Sequence, residues 1–363
     1  MLYVMYGSCY VATLSAVARG HISPSGEANH MKGSSRMKTT QTTPAAPSAL
    51  AAEKNQSGLH MFLVRFRKNW QLHLLCLLPV AYILLFNYVP MFGLQIAFRD
   101  FTPRAGIWGS EWVGLKHFIT FFKAYNFSQI IGNTLGISIY SILVSFPIPI
   151  VLALMLHVSE RKVLKKVTQN VAYMPHFIST VVLVGIIQQV LNPVSGVIGT
   201  FYHLFGGIGI APDIRASAPA FRHLFVWSGV WQQMGWNTII YVAALAGVSH
   251  ELHEAAELDG ASRWKRVLNV DLPAIMPTVS IMLILRFGTV MTVGYEKVYL
   301  MQNDMNLSTS EVISTYVYKT GLTKMQLSYA TAIGLFNSVI NTAMLLLVNG
   351  IVRKLTNGEQ GMF

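Results

Sequence analysis

Charged residues are scarce in this chain. They make up 12% of its 363 residues, whereas hydrophobic residues make up 53%. An ordinary soluble domain carries roughly 25% charged residues, because a water-exposed surface needs charge and a lipid-exposed surface does not. The composition therefore favours a membrane protein over a soluble one.

Other missing features exclude further classes of protein. The net charge is +12, but the basic residues form no dense stripe that would follow nucleic-acid phosphates, so we place them beside membrane spans. The two cysteines, Cys9 and Cys76, lie far apart, which indicates neither a disulfide framework nor a cysteine metal site. The sequence has no G-x-x-x-x-G-K-S/T phosphate loop, and no credible nucleophile and base for an intramembrane enzyme.

Residues 1–64 differ from the rest of the chain. They are rich in Pro, Ser, Thr and Ala and have no periodicity, which predicts a disordered tail. No Lys or Arg precedes the opening apolar stretch, so a cleaved signal peptide is disfavoured. Met31 and Met37 are alternative starts that would make the upstream residues a misassigned addition. Residues 356–363 are interpreted as a C-terminal tail.

The chain contains six apolar runs, the first of which begins at residue 72. Each is about 20 to 27 residues long and, at ~1.5 Å per residue, crosses a hydrocarbon core of ~30 Å. We therefore predict an all-α membrane protein with six transmembrane helices. A bundle tolerates prolines in such spans where neighbouring groups satisfy the freed carbonyls; here they are Pro79, Pro90, Pro147 and Pro149. The predicted spans are 72–98, 129–156, 171–191, 223–247, 278–300 and 329–352.

Basic residues are distributed unequally between the two sides of the predicted bundle. The denser set occupies residues 65–68, 161–166, 263–266 and 353–354. Lys and Arg accumulate in the short cytoplasmic loops of membrane proteins. Both termini are therefore predicted to be cytoplasmic.

The segment 248–276, between the fourth and fifth spans, is the most polar part of the membrane region. Ser249 is the predicted N-cap of a first short helix, and Gly260 supplies the backbone freedom that ends it. A second short helix is predicted to place Trp264 and Val267 on one side, opposite basic residues. Together they form an interfacial amphipathic element.

The same segment contains E-A-A, three residues, Gly, nine residues, an aliphatic residue, one residue, and Leu-Pro. In this pattern it resembles the membrane subunits of binding-protein-dependent ABC importers, with Val270 in place of the commoner Ile. The resemblance implies that the first helix is a coupling helix, which docks into a cleft of a cytoplasmic ATPase. The residues to which it assigns ATPase coupling are Glu254, Ala255, Ala256, Asp259, Gly260, Leu272 and Pro273.

This resemblance covers residues 65–355, the expected transmembrane domain. The stretches 171–187, 226–245 and 286–301 are similar to importers of oligosaccharides or polysaccharide fragments. The resemblance implies a bacterial cytoplasmic membrane location, a second homologous permease subunit (a heterodimer rather than a homodimer), two ATPase subunits that bind ATP and Mg, and an extracytoplasmic binding protein. This chain would then bind no cofactor and would not be an enzyme. An ABC permease for a non-sugar solute and an ion-coupled secondary transporter are the alternatives.

Charge within the predicted spans is confined to the fifth, at Arg286, Glu296 and Lys297. Intramembrane charge is costly and therefore functional by default. Counted from Pro277, Arg286 lies ~14 Å deep, near the middle of the membrane. Arg286 is predicted to face the cavity through which the substrate passes and to accommodate a polar glycan, including a uronate-containing one. The alternative is that Arg286 has a structural role and pairs with another group of the protein. The other residues predicted to line the substrate pathway are Trp227, Trp231, Asn237, Tyr295 and Glu296.

Two histidines of the first short helix suggest a zinc motif. His250 and His253 are three residues apart, whereas the zinc hydrolase pattern requires a spacing of four. We interpret both as surface residues and predict no metal site.

Overall fold

The structure is a computed structural model that describes residues 70–356. The predicted N-terminal tail, with Cys9, Met31 and Met37, lies outside the described residues, as do residues 357–363. The chain divides after Gly93 into two compact units. In the first, helix α1 (Trp70–Ile83) continues into a π-helical turn (Leu84–Tyr88). The next element is a 3-10 helix (Val89–Phe98), within which the boundary between the units falls.

The second unit is mostly helical. Its two-stranded sheet pairs β1 (Arg99–Asp100) with β2 (Glu111–Trp112) in antiparallel register, with Arg99 opposite Trp112. The helices before the long central one are α2 (Gly106–Gly109), α3 (Lys116–Phe122), α4 (Phe127–Ser145), α5 (Pro147–Val158), α6 (Lys162–Tyr173), α7 (Thr180–Val190) and α8 (Val197–Leu204). The central helix and those after it are α9 (Ala218–Leu245), α10 (His250–Leu258), α11 (Arg263–Arg266), α12 (Leu272–Phe287), α13 (Tyr295–Met301), α14 (Leu307–Ser310), α15 (Ile313–Tyr318) and α16 (Leu327–Leu355).

Helix α9 is the centre of the second unit. Its 28 residues rise ~42 Å, and it packs against α4, α5, α6 and α12. Apolar side chains of α9 contribute to two clusters of the core. One cluster comprises Ala153, Tyr241, Leu245, Ile275 and Val279, and another comprises Ile137, Phe221, Val293, Val298 and Val312.

The prediction of six spans is confirmed in part. Within residues 70–356, four helical stretches are long and apolar enough to cross a membrane, and a sharply bent pair makes a fifth. The four are His73–Phe98, Phe127–Val158, Arg263–Phe287 and Leu327–Leu355. The predicted fourth span lies in α9, which has the length of a span but carries polar side chains such as Gln232 and Gln233.

The predicted third span is bent rather than straight. The stretches Lys162–Phe177 and Thr180–Val190 meet at 98°. Pro175 lies just before the bend, and Ser179 adopts an extended conformation and caps α7 by accepting a hydrogen bond from the Val182 amide. Proline restricts the backbone and removes a donor, which explains why one continuous helix does not form.

The prediction of a continuous fifth span over 278–300 is wrong. Helix α12 starts earlier, at Leu272, and ends at Phe287, whereas α13 begins only at Tyr295. Gly288 and Gly294 bracket the non-helical residues between them, and glycine is a poor helix former. The depth of Glu296 and Lys297 counted along a straight helix therefore does not hold.

Side chains of neighbouring helices satisfy the backbone at this break. Asn341 of α16 accepts a hydrogen bond from the Met291 amide at 2.8 Å and donates one to the Thr292 hydroxyl at 2.9 Å. The Ser314 hydroxyl donates to the Val293 carbonyl at 2.9 Å. Non-helical backbone at membrane depth needs partners of this kind.

The contact between α9 and α6 generates a stability prediction. A Cβ atom at Gly235 would overlap the backbone carbonyl of Ala172, so Gly235→Ala forces the two helices apart. We expect a loss of about 1–3 kcal/mol and a lower thermal unfolding midpoint for the detergent-purified protein. Gly334→Ala in α16 is the control, because a Cβ there meets nothing within 4 Å; equal midpoints for the two variants would contradict the close contact.

Candidate functional site

The first short helix predicted in the segment 248–276 is α10. As predicted, Ser249 caps it: the Ser249 hydroxyl accepts a hydrogen bond from the Glu251 amide at 3.3 Å. The helix ends at Gly260, whose φ of +72° lies in the left-handed region. The Gly260 amide donates to the Glu257 carbonyl at 3.0 Å and the Ala261 amide to the Ala256 carbonyl at 2.9 Å. This pair of bonds is a Schellman motif, which favours glycine at its left-handed position.

Helix α10 presents most of its surface outward. Only His253 and Ala256 are partly buried along it, and they lie on one face three residues apart. Leu258 is 90% exposed, and the side chain of Glu254 is also exposed. An exposed helix that combines apolar and acidic side chains is suited to insertion into a partner protein's groove.

The prediction of a separate second short helix is wrong. Helix α11 passes through a π-helical turn (Val267–Asp271) directly into α12. Trp264 and Val267 do not share a common environment, since Trp264 is 73% exposed and Val267 only 4%. The additional residue in a π turn changes the direction of each side chain beyond it. Leu272 and Pro273 form the first turn of α12.

Ion pairs connect residues within the segment 248–276, which we call the coupling segment, and join this segment to the residues after α5. Arg266 pairs with Glu257, across the turn at the end of α10. Arg263 pairs with Glu160, which follows α5, at 2.7 Å. Both pairs are partly exposed, so each contributes at most a modest stabilisation. The Arg266–Glu257 pair joins α10 to α11, and the Arg263–Glu160 pair joins α11 to the residues after α5.

The interpretation of both histidines as surface residues is wrong for His253. The His250 side chain is 87% exposed, whereas that of His253 is 17% exposed. His253 lies on the partly buried face of α10, and its Nε2 is 3.1 Å from Asp271 Oδ1. His157, at the end of α5, is also near this carboxylate. These three side chains could hold a metal ion, as judged by the proximity of their ligand atoms.

Arg286 lies one residue from the end of α12, and its side chain is exposed. Its Nη2 donates to the Ser145 hydroxyl at 3.4 Å. Ser145 is near the middle of the helical stretch Phe127–Val158. Pro147 and Pro149 follow immediately, and because proline has no amide hydrogen the carbonyls of the preceding turn lack helical donors. The guanidinium thus sits beside a polar break in the second span.

The residues predicted on α9 occupy different surroundings. The Trp227 indole donates to the Tyr140 hydroxyl at 3.0 Å. Trp231 lines an apolar groove of about 660 Å³ together with side chains of α5 and α6. Asn237 is half-buried. The structure therefore does not bring these three side chains into one binding surface.

On α13, a cluster of aromatic rings surrounds Tyr295. Its ring lies 4.7 Å from that of Tyr318 and 5.4 Å from that of Tyr299, and the last two rings are 5.4 Å apart. Glu296 is exposed. Lys297 points to α9 instead, where its Nζ donates to the Phe225 carbonyl at 2.8 Å. Tyr318 was not anticipated, because it lies in a short helix outside the predicted spans.

A second arginine within a helix was also missed. The apolar pattern of the sequence placed Arg222 just before the predicted fourth span. In the structure Arg222 lies in the first turns of α9, and it donates to the buried Asn133 side chain at 2.9 Å. Asn133 in turn donates to the Glu311 carbonyl at 3.1 Å, and the Glu311 carboxylate pairs with Lys319 at 2.9 Å. The signal available in the sequence was Asn133, an amide side chain within the predicted second span.

The fold and the coupling segment together define a class: a multi-pass helical permease. A family model described as the binding-protein-dependent transport system inner membrane component matches residues 145–357. The chain belongs to this family. The match confirms the resemblance that the E-A-A motif indicated.

Relatives and solved structures agree with this membership. The chain is 38% identical over 327 residues to the polygalacturonan/rhamnogalacturonan transport system permease protein YteP of Bacillus subtilis (strain 168), covering 90% of this chain and all of that protein. It is similar to a chain of a bacterial alginate ABC transporter in complex with an alginate pentasaccharide-bound periplasmic protein, with 33% identity, a TM-score of 0.74, and coverage of 82% of this chain and 98% of that chain. A bacterial ABC transporter involved in the import of the acidic polysaccharide alginate matches with 34% identity, a TM-score of 0.74, and coverage of 82% and 99% respectively.

The left-handed conformation of Gly260 generates a prediction about α10. An alanine there costs about 1–2 kcal/mol, so in Gly260→Ala the amides of the last turn of α10 should exchange with deuterium roughly 5–30-fold faster. Hydrogen-exchange mass spectrometry of the peptide covering 250–262 measures this. The matched control is Gly209→Ala, because Gly209 has φ +83° and open space around it but lies between α8 and α9. Equal exchange in both variants would contradict the role of the cap.

Proposed function

We propose that this chain is the permease subunit of an ATP-driven importer for acidic oligosaccharides, and that it forms half of the translocation pathway. The single observation that carries the proposal is helix α10, an exposed helix that bears the E-A-A motif and leads through one turn into a membrane helix. Family membership favours this reading over the ion-coupled alternative.

The surface of α10 supports docking of an ATPase. Leu252 and Leu258 are exposed apolar side chains, and Glu254, Glu257 and Asp259 are exposed acidic ones. Exposed apolar groups with a polar rim mark interaction sites. ATP and Mg would bind to the docked ATPase subunits, so this chain would not itself be an enzyme.

Sugar import is supported by the relatives and by the pathway residues. The related transporters named above handle polygalacturonan, rhamnogalacturonan and alginate, the last an acidic polysaccharide. Arg286 provides a cation near the middle of the second span, which suits a carboxylate-bearing substrate. The tyrosine cluster of Tyr295, Tyr299 and Tyr318 offers aromatic faces for the apolar C–H patches of sugar rings.

We also propose the other subunits with which this permease would work. A solved relative carries a substrate-bound periplasmic protein, which supports a binding protein as the donor of substrate to this chain. We expect a second homologous permease, in a heterodimer rather than a homodimer, and two ATPase subunits. Arg263 of the coupling segment pairs with Glu160, which directly precedes the basic residues of 161–166. This basic side of the protein, together with both termini, would be cytoplasmic.

Uptake into proteoliposomes tests the function. The intact complex, purified from native membranes through this chain, should import an acidic oligosaccharide only when ATP is present. The double variant Glu254→Ala and Gly260→Pro should reduce uptake at least ~10-fold, the equivalent of losing about 1.4 kcal/mol of docking energy. Glu251→Ala is the control, because Glu251 lies on the same helix outside the motif. Uptake that is driven by an ion gradient alone, and is normal in the double variant, would overturn the proposal.

The role of Arg286 is tested by comparing substrates. Arg286→Gln removes a charge-assisted hydrogen bond and should lower uptake of a uronate-containing oligosaccharide roughly 10-fold or more. Uptake of a neutral oligosaccharide of the same length should change little, and Arg286→Lys, which keeps the charge, should retain most of the activity. If Arg286→Gln leaves substrate-stimulated ATP hydrolysis and uptake unchanged, Arg286 does not contact the substrate.

A further inference from the structure

Three side chains from separate elements meet beneath the coupling helix. His157 is in the last turn of α5, His253 is in the middle of α10, and Asp271 ends the π turn before α12. Their ligand atoms all lie within 4.8 Å of one another. The transport function proposed above does not use this cluster.

The carboxylate of Asp271 is deeply buried. The residue is 1% exposed, and among the described residues the basic groups within ion-pair distance of it are the imidazoles of His157 and His253. A buried carboxylate is costly unless it is paired or coordinates a metal ion. Two imidazoles are neutral when they act as metal ligands, so a bound cation would supply the missing positive charge.

The distances fit a tetrahedral metal ion. Asp271 Oδ1 lies 3.1 Å from His253 Nε2 and 3.6 Å from His157 Nε2. Ligands bound to zinc at about 2.0–2.2 Å in tetrahedral geometry are separated by roughly 3.3 Å from one another. The two observed distances lie on either side of this value.

Polar atoms of the cluster that lack a hydrogen bond also support a bound metal ion. Asp271 Oδ1 and His253 Nε2 are both buried, and within residues 70–356 neither makes a hydrogen bond of acceptable geometry, although they are 3.1 Å apart. An N–H aimed at the carboxylate would satisfy both atoms. The imidazole rings of His157 and His253 are inclined at 40° with centroids 5.8 Å apart, so they do not stack face to face. A cation coordinated between the three side chains would satisfy both atoms.

We propose that His157, His253 and Asp271 bind a divalent transition-metal ion of the zinc type. Two imidazoles and one carboxylate match the ligands zinc prefers, whereas calcium and magnesium require oxygen ligands. Three protein ligands leave a fourth position for water. The ion would bond α10 to α5 and to the start of α12, and so restrain the coupling helix at the point where it touches the membrane helices.

Zinc binding by the full-length protein tests this proposal. The protein, purified in detergent with its affinity tag removed, is dialysed against ZnCl2, and bound metal is counted by mass spectrometry. One zinc per chain is expected. His253→Gln should weaken binding by more than about 100-fold, beyond what loss of an outer-shell partner costs. The matched control is His250→Gln on the same helix, which should bind zinc normally because His250 is exposed and lies near Glu254 only as an i, i+4 neighbour.

A second measurement keeps the test independent of how the variants fold. Cobalt bound to the unaltered protein should give the intense visible absorption of a tetrahedral or five-coordinate ion with nitrogen ligands. Failure to retain zinc, an octahedral cobalt spectrum, or unchanged zinc binding in a folded His157→Gln, His253→Gln double variant would each overturn the proposal. Because binding is measured on the isolated chain, its result is independent of whether the chain imports sugars.

Discussion

Backbone polar groups inside a bilayer have no water to bind, so they must find partners within the protein. The membrane helices of this chain are broken in several places, and the structure depends on polar side chains from adjacent helices at those places. Gln232 of α9, itself buried, donates to the Ile178 carbonyl at the bend of the third span, at 2.7 Å. Asn341 of α16 likewise forms hydrogen bonds with residues of the break after α12. This role in bonding the backbone accounts for the amide side chains that α9 and α16 carry in otherwise apolar surroundings.

The coupling segment continues directly into a membrane helix. Helix α11, the π turn and α12 form one continuous helical stretch from Arg263 to Phe287, and α10 is attached to it by the Gly260 turn and the Arg266–Glu257 pair. In the proposed importer, a displacement of α10 would therefore be transmitted along this continuous helix. Arg286 stands at the far end of that element, where the helix stops and the backbone becomes irregular. The proposed coupling surface on α10 and the proposed pathway charge at Arg286 thus lie at opposite ends of the Arg263–Phe287 helical stretch.

Local rules predicted the parts of this fold that depend on neighbouring residues in the chain. Ser249 as an N-cap and Gly260 as a helix end follow from capping and left-handed backbone preferences, and the apolar runs locate most of the spans. The bend at Ile178 and the break at Gly288 were missed, because their stability comes from Gln232 and Asn341, which are distant in sequence. The position of His253 beside Asp271 was missed for the same reason: a three-residue histidine spacing contains no information about a carboxylate eighteen residues further on.

The π turn of Val267–Asp271 also has a consequence for the length of the motif. One residue corresponds to about 100° of rotation about a helix axis, and the π turn holds one more residue than an α-helical turn. Removing a residue between Gly260 and Val270 would therefore rotate every side chain of α12 by about a quarter of a revolution, and the Arg286 guanidinium would face a different neighbour from Ser145. The nine-residue spacing thus determines which face of the fifth membrane helix is turned toward Ser145 and the second span.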